Sequence, residues 1–493
     1  MRQSISSSLA GWVAVICAMC AVGCAVALAP GYQIARETRE IRFIPGQNPA
    51  LAIHVDFTLR NSGTSELRFI DARLPSSETT GRTDLRIEVD GVETTPSALP
   101  LDESPSQPDL VRITFAKAWM RKQKLELRFD YTLRSPVQFS SYVTIEPESF
   151  HLGVRGWAPH LQPAKHLLAS YPSRPPRMNY QIRVPANFAV MAGGAPKGQK
   201  RFGSEIERRY EVNARALGAF AVAGRYAIWP TNGSRNATVF WTTQPLSEKT
   251  AASARQVAII WNSLTKDFGS FDRNIAAPSV VESASVQSPV GGRGDAAAVS
   301  FPGGALLNPA AFDLGIDSER FFELVGEALA RNWFDEEVFP SVEAEIGMGD
   351  GLPEYASVVA DESRRGPSGR QQRIYAYLQR YDAATKDSDE TPIAATMASS
   401  PAPQRRIALA KAPLFYIALE DAYGEASVRA GIAHMLTSLR GQEVDYHVLR
   451  SVLEQSTGRQ LGPTFREWLD GKGIPSDFRA RYPLRADAPA PTR

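Results

Sequence analysis

The segment EALARNWF, residues 327–334, has the pattern of a single helix with an apolar side and a charged side. Glu327 and Arg331 are four residues apart with the acid first, which is the favourable order for an ion pair along a helix. Asp317 or Ser318 can cap the start of this helix. Its apolar positions are Leu329, Ala330, Trp333 and Phe334. The segment therefore predicts a packed helix that carries a Glu327–Arg331 pair.

Upstream of this helix, residues 32–229 have the pattern of β-strands. Apolar and polar residues alternate in 52–59, 85–89 and 125–129, as they do in half-buried strands. Proline and glycine separate many short segments of this kind. These features predict an N-terminal β-sandwich or saddle-like sheet domain.

From about residue 237 onward, helix and strand patterns are mixed. Ser247 can cap a helix that runs to about Asp267 and ends at Gly269. Residues 279–283 and 298–301 have the pattern of strands, and residues 407–468 are again helical. The Ala/Pro-rich residues 484–493 are typical of a frayed tail.

The order of these features resembles the M1 aminopeptidases, a branch of the gluzincin metallopeptidases. Residues 150–153 with 156–159 resemble the family's WxP region, and residues 267–271 resemble its FGxYP junction. Residues 462–469 with 473–475 resemble its FxxWxxxxGxP motif, which is the most specific of the three. The resemblance covers about residues 31–482.

The resemblance implies an α+β multidomain fold. An N-terminal β-sandwich or saddle domain would precede a thermolysin-like α/β domain and a helical C-terminal part. The expected divisions are a signal peptide or membrane anchor, the β domain, the thermolysin-like subdomain, a helical part and a disordered tail. Their bounds are 1–29, 30–235, 236–375, 376–483 and 484–493.

The family's catalytic helix reads HELAHQWF, in which two histidines one turn apart bind Zn²⁺ and the glutamate is the general base. Aligned on residues 327–334, Glu327 and Arg331 replace the histidines and Ala328 replaces the base. The chain has six histidines, and none lies between residues 167 and 433. The resemblance therefore implies a degenerate member without the zinc-binding motif.

Three further family positions have counterparts in this chain. The third zinc ligand is a glutamate in a WLNEG-like segment, nineteen residues after the second histidine. Glu354 resembles it in residues 351–355 and could face Arg331, although a role as an ordinary helix-entry residue is an equal alternative. The family's transition-state tyrosine corresponds to Leu409, and Asp295 lies nearest to the glutamate that holds the substrate amine. Asp295 and Glu354 are thus the candidate binding residues.

The N-terminus has the pattern of an export signal. Arg2 precedes an apolar run at residues 9–29, which could be a cleaved signal peptide or a retained membrane anchor. Cys24 follows a sequence that resembles a bacterial lipoprotein box, so it is a candidate lipidation site. All three cysteines lie in this run: Cys17, Cys20 and Cys24. We therefore expect an exported protein that is periplasmic, in the cell envelope or membrane-anchored.

Composition bounds the function more weakly. A formal net charge of +2 gives no reason to expect a nucleic-acid surface.

The first hypothesis is a catalytically inactive, M1-like module that binds a peptide or protein and has no cofactor. One alternative is a divergent zinc aminopeptidase with a different ligand set. Another is hydrolysis by carboxylates such as Asp295, Asp350 and Glu354.

Overall fold

The computed structural model describes residues 31–98, 110–135, 143–153, 156–161, 178–212, 220–230, 238–243, 245, 248–271, 278–286, 296–314, 319–335, 337–397 and 399–483. Several predicted features lie outside the described residues: Cys24 with the N-terminal apolar run, Asp295, the helix caps Ser247, Asp317 and Ser318, and the tail 484–493.

The N-terminal part consists of strands and one short helix, α1 (Ser77–Thr80). The strands are β1 (Tyr32–Ile44), β2 (Ala50–Asn61), β3 (Leu67–Arg73), β4 (Thr83–Val89), β5 (Val92–Glu93), β6 (Ser97–Ala98), β7 (Leu110–Trp119), β8 (Lys124–Arg134), β9 (Val143–Glu146), β10 (Ser149–Leu152), β11 (His160–Leu161), β12 (Met178–Pro185), β13 (Ala189–Ala192), β14 (Ala195–Phe202), β15 (Glu205–Val212), β16 (Ala221–Gly224) and β17 (Ala227–Pro230).

An eight-stranded sheet dominates this part, with the order β14-β15-β12-β1-β2-β8-β4-β5. Two four-stranded sheets, β13-β16-β10-β9 and β11-β3-β7-β6, accompany it. Strand β2 shows why the large sheet has one buried face: Ile53, Val55 and Phe57 are buried, while His54 and Asp56 between them are partly exposed. Because successive side chains of a strand point to opposite faces, one apolar row packs against the core. The predicted strands at 52–59, 85–89 and 125–129 are confirmed.

The second part begins with a five-stranded sheet of order β17-β18-β19-β21-β20. Its further strands are β18 (Val239–Thr242), β19 (Ser279–Glu282), β20 (Ala298–Phe301) and β21 (Gly304–Leu307). Strands β18, β19 and β21 are parallel, and β20 pairs with β21 in the antiparallel direction. Because β17 pairs with β18, this sheet includes a strand that precedes residue 236. The domain boundary predicted from the sequence lies at that residue.

Helices make up most of the remaining described chain. They are α2 (Glu248–Phe268), α3 (Pro309–Asp313), α4 (Glu319–Asp335), α5 (Gly351–Arg365), α6 (Pro367–Asp387), α7 (Ala402–Tyr423), α8 (Glu425–Ser438), α9 (Tyr446–Thr457), α10 (Gly462–Phe465) and α11 (Ser476–Arg481). Two 3₁₀ turns (Val342–Ala344 and Ile393–Ala395), two π-helical turns (Glu345–Asp350 and Arg466–Asp470) and the short strands β22 (Phe339–Pro340) and β23 (Glu443–Val444) complete this part.

Two large apolar cores correspond to the two parts, and a smaller cluster lies between them. The smaller cluster joins Val222 of β16 to Trp241 and Phe301 of the five-stranded sheet. Glu146 adds a polar connection: its Oε1 accepts bonds of 2.8 Å from the Ser283 hydroxyl and from the Ser285 backbone N–H. None of the described helices is both long and apolar enough to cross a membrane.

Candidate functional site

The segment 327–334 lies in the second half of α4, and its apolar side chains are buried as predicted. Trp333 is fully buried and stacks at a tilt with Trp261 and Phe271, at centroid distances of 4.9 and 5.5 Å. The Trp333 indole N–H donates to the Gly269 carbonyl at 2.9 Å, where α2 ends. Gly269 has a φ of +88°, a conformation that suits glycine. These contacts fix the rotation of α4 about its own axis.

Asn332 ties α4 to the five-stranded sheet. Its side chain is fully buried, and its Oδ1 accepts from the Gly303 N–H at 2.6 Å. Its Nδ2 donates to the carbonyls of Gly304 at 3.1 Å and Leu329 at 3.0 Å. The turn between β20 and β21 therefore has its polar groups satisfied by a helix side chain.

The polar side of α4 carries the predicted ion pair together with a third residue. Arg331 Nη2 lies 3.0 Å from Glu327 Oε1 and 2.6 Å from Asp350 Oδ1. Arg331 Nε also donates to Glu327 Oε1 at 3.3 Å, and Nη1 donates to the Gly349 carbonyl at 3.3 Å. The three side chains are 26–29% exposed. One guanidinium is thus held by two accessible carboxylates from different elements.

The π-helical turn Glu345–Asp350 brings Asp350 to this position. A Cβ on Gly347 would lie 2.0 Å from the Tyr446 hydroxyl oxygen, and a Cβ on Gly351 would lie 2.8 Å from the Ala412 Cβ. The Gly347 carbonyl also accepts from the Tyr416 hydroxyl at 2.7 Å. Glycines at these two positions allow the turn to pack directly on α7 and α9. Short π-helical turns of this kind are frequent at functional sites.

Of the two alternatives for Glu354, the structure agrees with the helix-entry position and not with a contact to Arg331. Glu354 lies on the first turn of α5, where its carboxylate accepts from the Tyr377 hydroxyl and lies 3.9 Å from Arg373. Asp350 faces Arg331 instead, and the two are nineteen residues apart. This is the spacing at which the resemblance places the third zinc ligand. By spacing, the Asp350-Gly351 pair therefore matches the family's third-ligand position better than Glu354 does.

Glu354 belongs to a buried charged layer beneath the Arg331 cluster. Burial raises its pKa to about 7, and the negative charge of Glu327 adds to the shift against the opposing charge of Arg373. Glu323 lies in the same layer, 3.0 Å from Arg373, and it also accepts from Arg380. Burial raises the pKa of Glu323, but Arg373 and Arg380 outweigh it and lower the pKa to about 2. The pKa values of the neighbouring carboxyls Glu354 and Glu323 are thus shifted in opposite directions.

The other predicted positions carry no titratable group or lie outside the description. Ala328 is buried in the core of the second part, and Leu409 packs partly buried on α7 against the same core. Asp295 lies outside the described residues, so its relation to the site rests on sequence alone. Within the described ranges, His, Cys, Asp and Glu side chains form no group of three that could hold a metal ion.

Comparisons with known proteins were made on sequence and on structure. No protein-family model and no curated protein match the sequence. The crystal structure of the M1 zinc metallopeptidase from Deinococcus radiodurans matches with a TM-score of 0.61 at 16% identity, over 90% of this chain and 96% of that chain. A mutant of that enzyme bound to a Tyr-Ser-Ala substrate matches with a TM-score of 0.59 at 17% identity, with the same coverage.

The chain has the fold of the M1 zinc metallopeptidases. Native yeast LTA4 hydrolase shares this fold, with a TM-score of 0.65 at 11% identity over 90% of this chain and 69% of that chain. The predicted α+β class, with a large N-terminal β part and a helical C-terminal part, is confirmed. At sequence identities of 11–17%, the similarity to these structures shows the fold of the chain.

The zinc of the M1 fold does not suit the residues present at this site. Zinc needs lone-pair donors such as imidazole, thiolate or carboxylate. The sequence resemblance aligns Arg331 with the family's second histidine, and a guanidinium offers only N–H donors. Its positive charge also pairs with the carboxylates of Glu327 and Asp350. A dication would have to displace this side chain before it could bind either carboxylate.

In the sequence, Asp350 stands out only as a carboxylate that could support hydrolysis, and Asn332 does not stand out. The link between Asp350 and Arg331 could have been found from spacing, because Asp350 lies nineteen residues after Arg331 and precedes Gly351 as the family glutamate precedes a glycine. Asn332 lies on the packed side of α4, four residues after the buried Ala328, so its place among apolar residues was the available signal. Only the turn packed against α4 shows why this amide is buried.

Proposed function

We propose that this chain is an exported, catalytically inactive protein with the M1 metallopeptidase fold, and that it binds a peptide or protein segment without cleaving it. One observation carries the proposal: the Arg331 guanidinium lies between Glu327 and Asp350. The resemblance aligns Arg331 and Glu327 with the family's two histidines, and spacing aligns Asp350 with its third ligand. Hydrolysis by the zinc mechanism needs a metal-bound water and a base. Ala328 at the base position has no proton acceptor.

The binding part of the proposal follows from the exposure of this cluster. Glu327, Arg331 and Asp350 remain 26–29% exposed, so charged groups of both signs are accessible on the polar side of α4. The metallopeptidase from Deinococcus radiodurans was solved with a Tyr-Ser-Ala substrate, so a peptide site exists in that protein. We infer that the present chain keeps a peptide site on the same scaffold.

Turnover is the first test. The mature chain, purified with and without added zinc, is incubated with a panel of aminoacyl-amide substrates, and product release is compared with a heat-inactivated sample. We expect no release above that background. Turnover that a chelator abolishes would support the alternative of a divergent metal-dependent aminopeptidase. Turnover that survives the chelator would favour hydrolysis by carboxylates.

Binding is the second test. A defined random peptide library is equilibrated with the chain, and the retained peptides are sequenced by mass spectrometry. We expect intact peptides on the wild type and on the control variant Glu66→Arg, which changes an exposed charge in the N-terminal part. Glu327→Arg should abolish retention because it reverses the charge beside Arg331. Equal retention by both variants, or none by the wild type, would remove the binding part of the proposal.

A further inference from the structure

The geometry around Arg331 points to a cation site that the protein fills with its own side chain. We propose that Glu327, Asp350 and the Gly349 carbonyl form a site for a planar guanidinium group, and that the Arg331 side chain occupies it as a tethered cation. Removal of this side chain would leave a site that binds a free guanidinium ion. The inference does not depend on what the protein binds or on whether it is an enzyme.

Every nitrogen of the guanidinium has an acceptor in this site. Nε and Nη2 donate to Glu327 Oε1 at 3.3 and 3.0 Å, Nη2 donates to Asp350 Oδ1 at 2.6 Å, and Nη1 donates to the Gly349 carbonyl at 3.3 Å. The acceptors come from both sides of a structural junction: Glu327 from α4, and Gly349 and Asp350 from the π-helical turn. A planar group with donors along its edges fits such an arrangement, whereas an ammonium is a point charge.

The charges around the site favour a permanent cation. Glu327 and Asp350 supply two carboxylates to one guanidinium, and the buried Glu354 is close enough to Glu327 for the two to repel each other. Without Arg331, the carboxylates of Glu327 on α4 and Asp350 on the π-helical turn would lose the cation that they share. Like charges in a partly desolvated position repel strongly, so the junction would loosen.

The site is built by residues held in place independently of Arg331. The turn that carries Asp350 is fixed by the Tyr416–Gly347 hydrogen bond of 2.7 Å and by the close approach of Gly351 to Ala412. Helix α4 is fixed by the Trp333–Gly269 hydrogen bond. The acceptors should therefore stay near their positions when the arginine side chain is removed, which is the condition for a replacement ion to bind.

Chemical rescue tests the proposal. Thermal unfolding of the full mature chain is measured for the wild type, for Arg331→Ala and for Arg331→Ala with Asp350→Asn, in low millimolar guanidinium chloride or equal sodium chloride. We expect Arg331→Ala to lower the Tm by about 2–4 °C. Guanidinium should restore most of this loss in the single variant and none in the double variant. Sodium chloride should restore neither.

The proposal would be overturned by an unchanged Tm in Arg331→Ala, by equal rescue with sodium chloride, or by equal rescue in the double variant. Stabilisation of Arg331→Ala by Zn²⁺ but not by guanidinium would also contradict it, because the site would then select a metal ion.

A measurement on the folded wild type covers the case in which Arg331→Ala does not fold. Side-chain ¹⁵N NMR should show slow rotation of the Arg331 guanidinium in the wild type and fast rotation in Asp350→Asn. Arg225, whose side chain is 62% accessible and whose ion pair with Glu148 lies at the surface, serves as the internal reference. Rotation of Arg331 as fast as that of Arg225 in the wild type would refute the tethered-cation site.

Discussion

At the scale of single residues, an ion-pair network surrounds Arg331. Arg331 pairs with the carboxylates of Glu327 and Asp350, and a layer of alternating charges lies beneath it with Glu354, Glu323 and Arg373. Such a network is stabilising only when each charge has a partner, because an unpaired charge in a partly buried site is costly. The network therefore works as a unit, and single substitutions should have effects that depend on pH.

Glu354→Gln should make stability less dependent on pH. The folded pKa of Glu354 is raised to about 7 from an ordinary 4.5, so the native chain binds more protons than the unfolded chain between these values. Stability of the wild type should thus fall as pH rises through this window, by at most about 1.4 kcal/mol per pH unit. We expect Glu354→Gln to match the wild type near pH 4.5 and to exceed it at pH 8, measured by urea unfolding.

Glu323→Gln is the matched control, because the pKa of Glu323 is shifted in the opposite direction to that of Glu354. The folded pKa of Glu323 is lowered to about 2 from 4.5, so its stabilising contribution is present above pH 4.5 and is lost as pH falls through 2. Glu323→Gln should therefore be less stable than the wild type at pH 8. If both variants shift stability in the same direction at pH 8, the charge assignment in this layer is incorrect.

At the scale of helices and strands, side chains of one element form hydrogen bonds with the backbone of another. The Asn332 amide of α4 bonds to the backbone of the β20–β21 turn, and the Trp333 indole of α4 donates to the Gly269 carbonyl at the end of α2. These contacts fix the orientation of α4 independently of the Arg331 ion pairs. The polar cluster and the packing side chains lie on different sides of the helix, so one can change while the other stays.

Asn332→Ala should destabilise the second part of the chain. The Gly303 N–H and the Gly304 carbonyl would lose their partner in a buried place, which costs about 1–3 kcal/mol. The loss should appear in urea unfolding monitored by tryptophan fluorescence. Asn262→Ala, on the partly exposed side of α2, is a suitable comparison and should cost less. Equal losses in the two variants would show that the Asn332 bonds contribute little.

His54 on β2 makes the large sheet sensitive to pH. Its ring lies 2.6 Å from Asp130 and 2.9 Å from Asp56, and Glu40 is its register partner on β1. Burial lowers the pKa of His54, but the bonds to Asp130 and Asp56 outweigh it and raise the pKa above 6.5. The stabilisation is therefore present below pH 6.5 and is lost as pH rises through the folded pKa.

Replacement of His54 tests this directly. His54→Asn should lower the urea midpoint more at pH 5 than at pH 8, because only the protonated ring pairs with the carboxylates. A loss of equal size at both pH values would show that the imidazole acts through packing alone.

The sequence predicted the elements better than it predicted the site. Apolar periodicity is local, so it placed α4, the strands of the large sheet and the Glu327–Arg331 pair. The partner of Arg331 depends on the path of eighteen intervening residues through β22, a 3₁₀ turn and a π-helical turn. A comparison of residue types with the family motif, which favoured Glu354, could not anticipate that path. Spacing, which favoured Asp350, was the better guide.

At the scale of the whole molecule, Glu146 should help hold the two parts together. It accepts from Ser283 and Ser285 across the interface and from Ser149 within its own part. Glu146→Ala would leave these donors without their acceptor, so we expect a lower Tm and faster limited proteolysis between the two parts. Glu148→Ala is the control, because Glu148 is 63% exposed and pairs with Arg225 at the surface. Equal protease sensitivity in both variants would argue against this connection.

The central claim is that an M1 fold here holds a guanidinium where its structural relatives hold zinc. Zinc titration by calorimetry compares the wild type with a variant that carries Glu327→His, Ala328→Glu, Arg331→His and Asp350→Glu. If the register is correct, the variant binds zinc stoichiometrically, while the wild type shows no saturable zinc binding. Stoichiometric zinc on the wild type, or none on the correctly folded variant, would contradict the account.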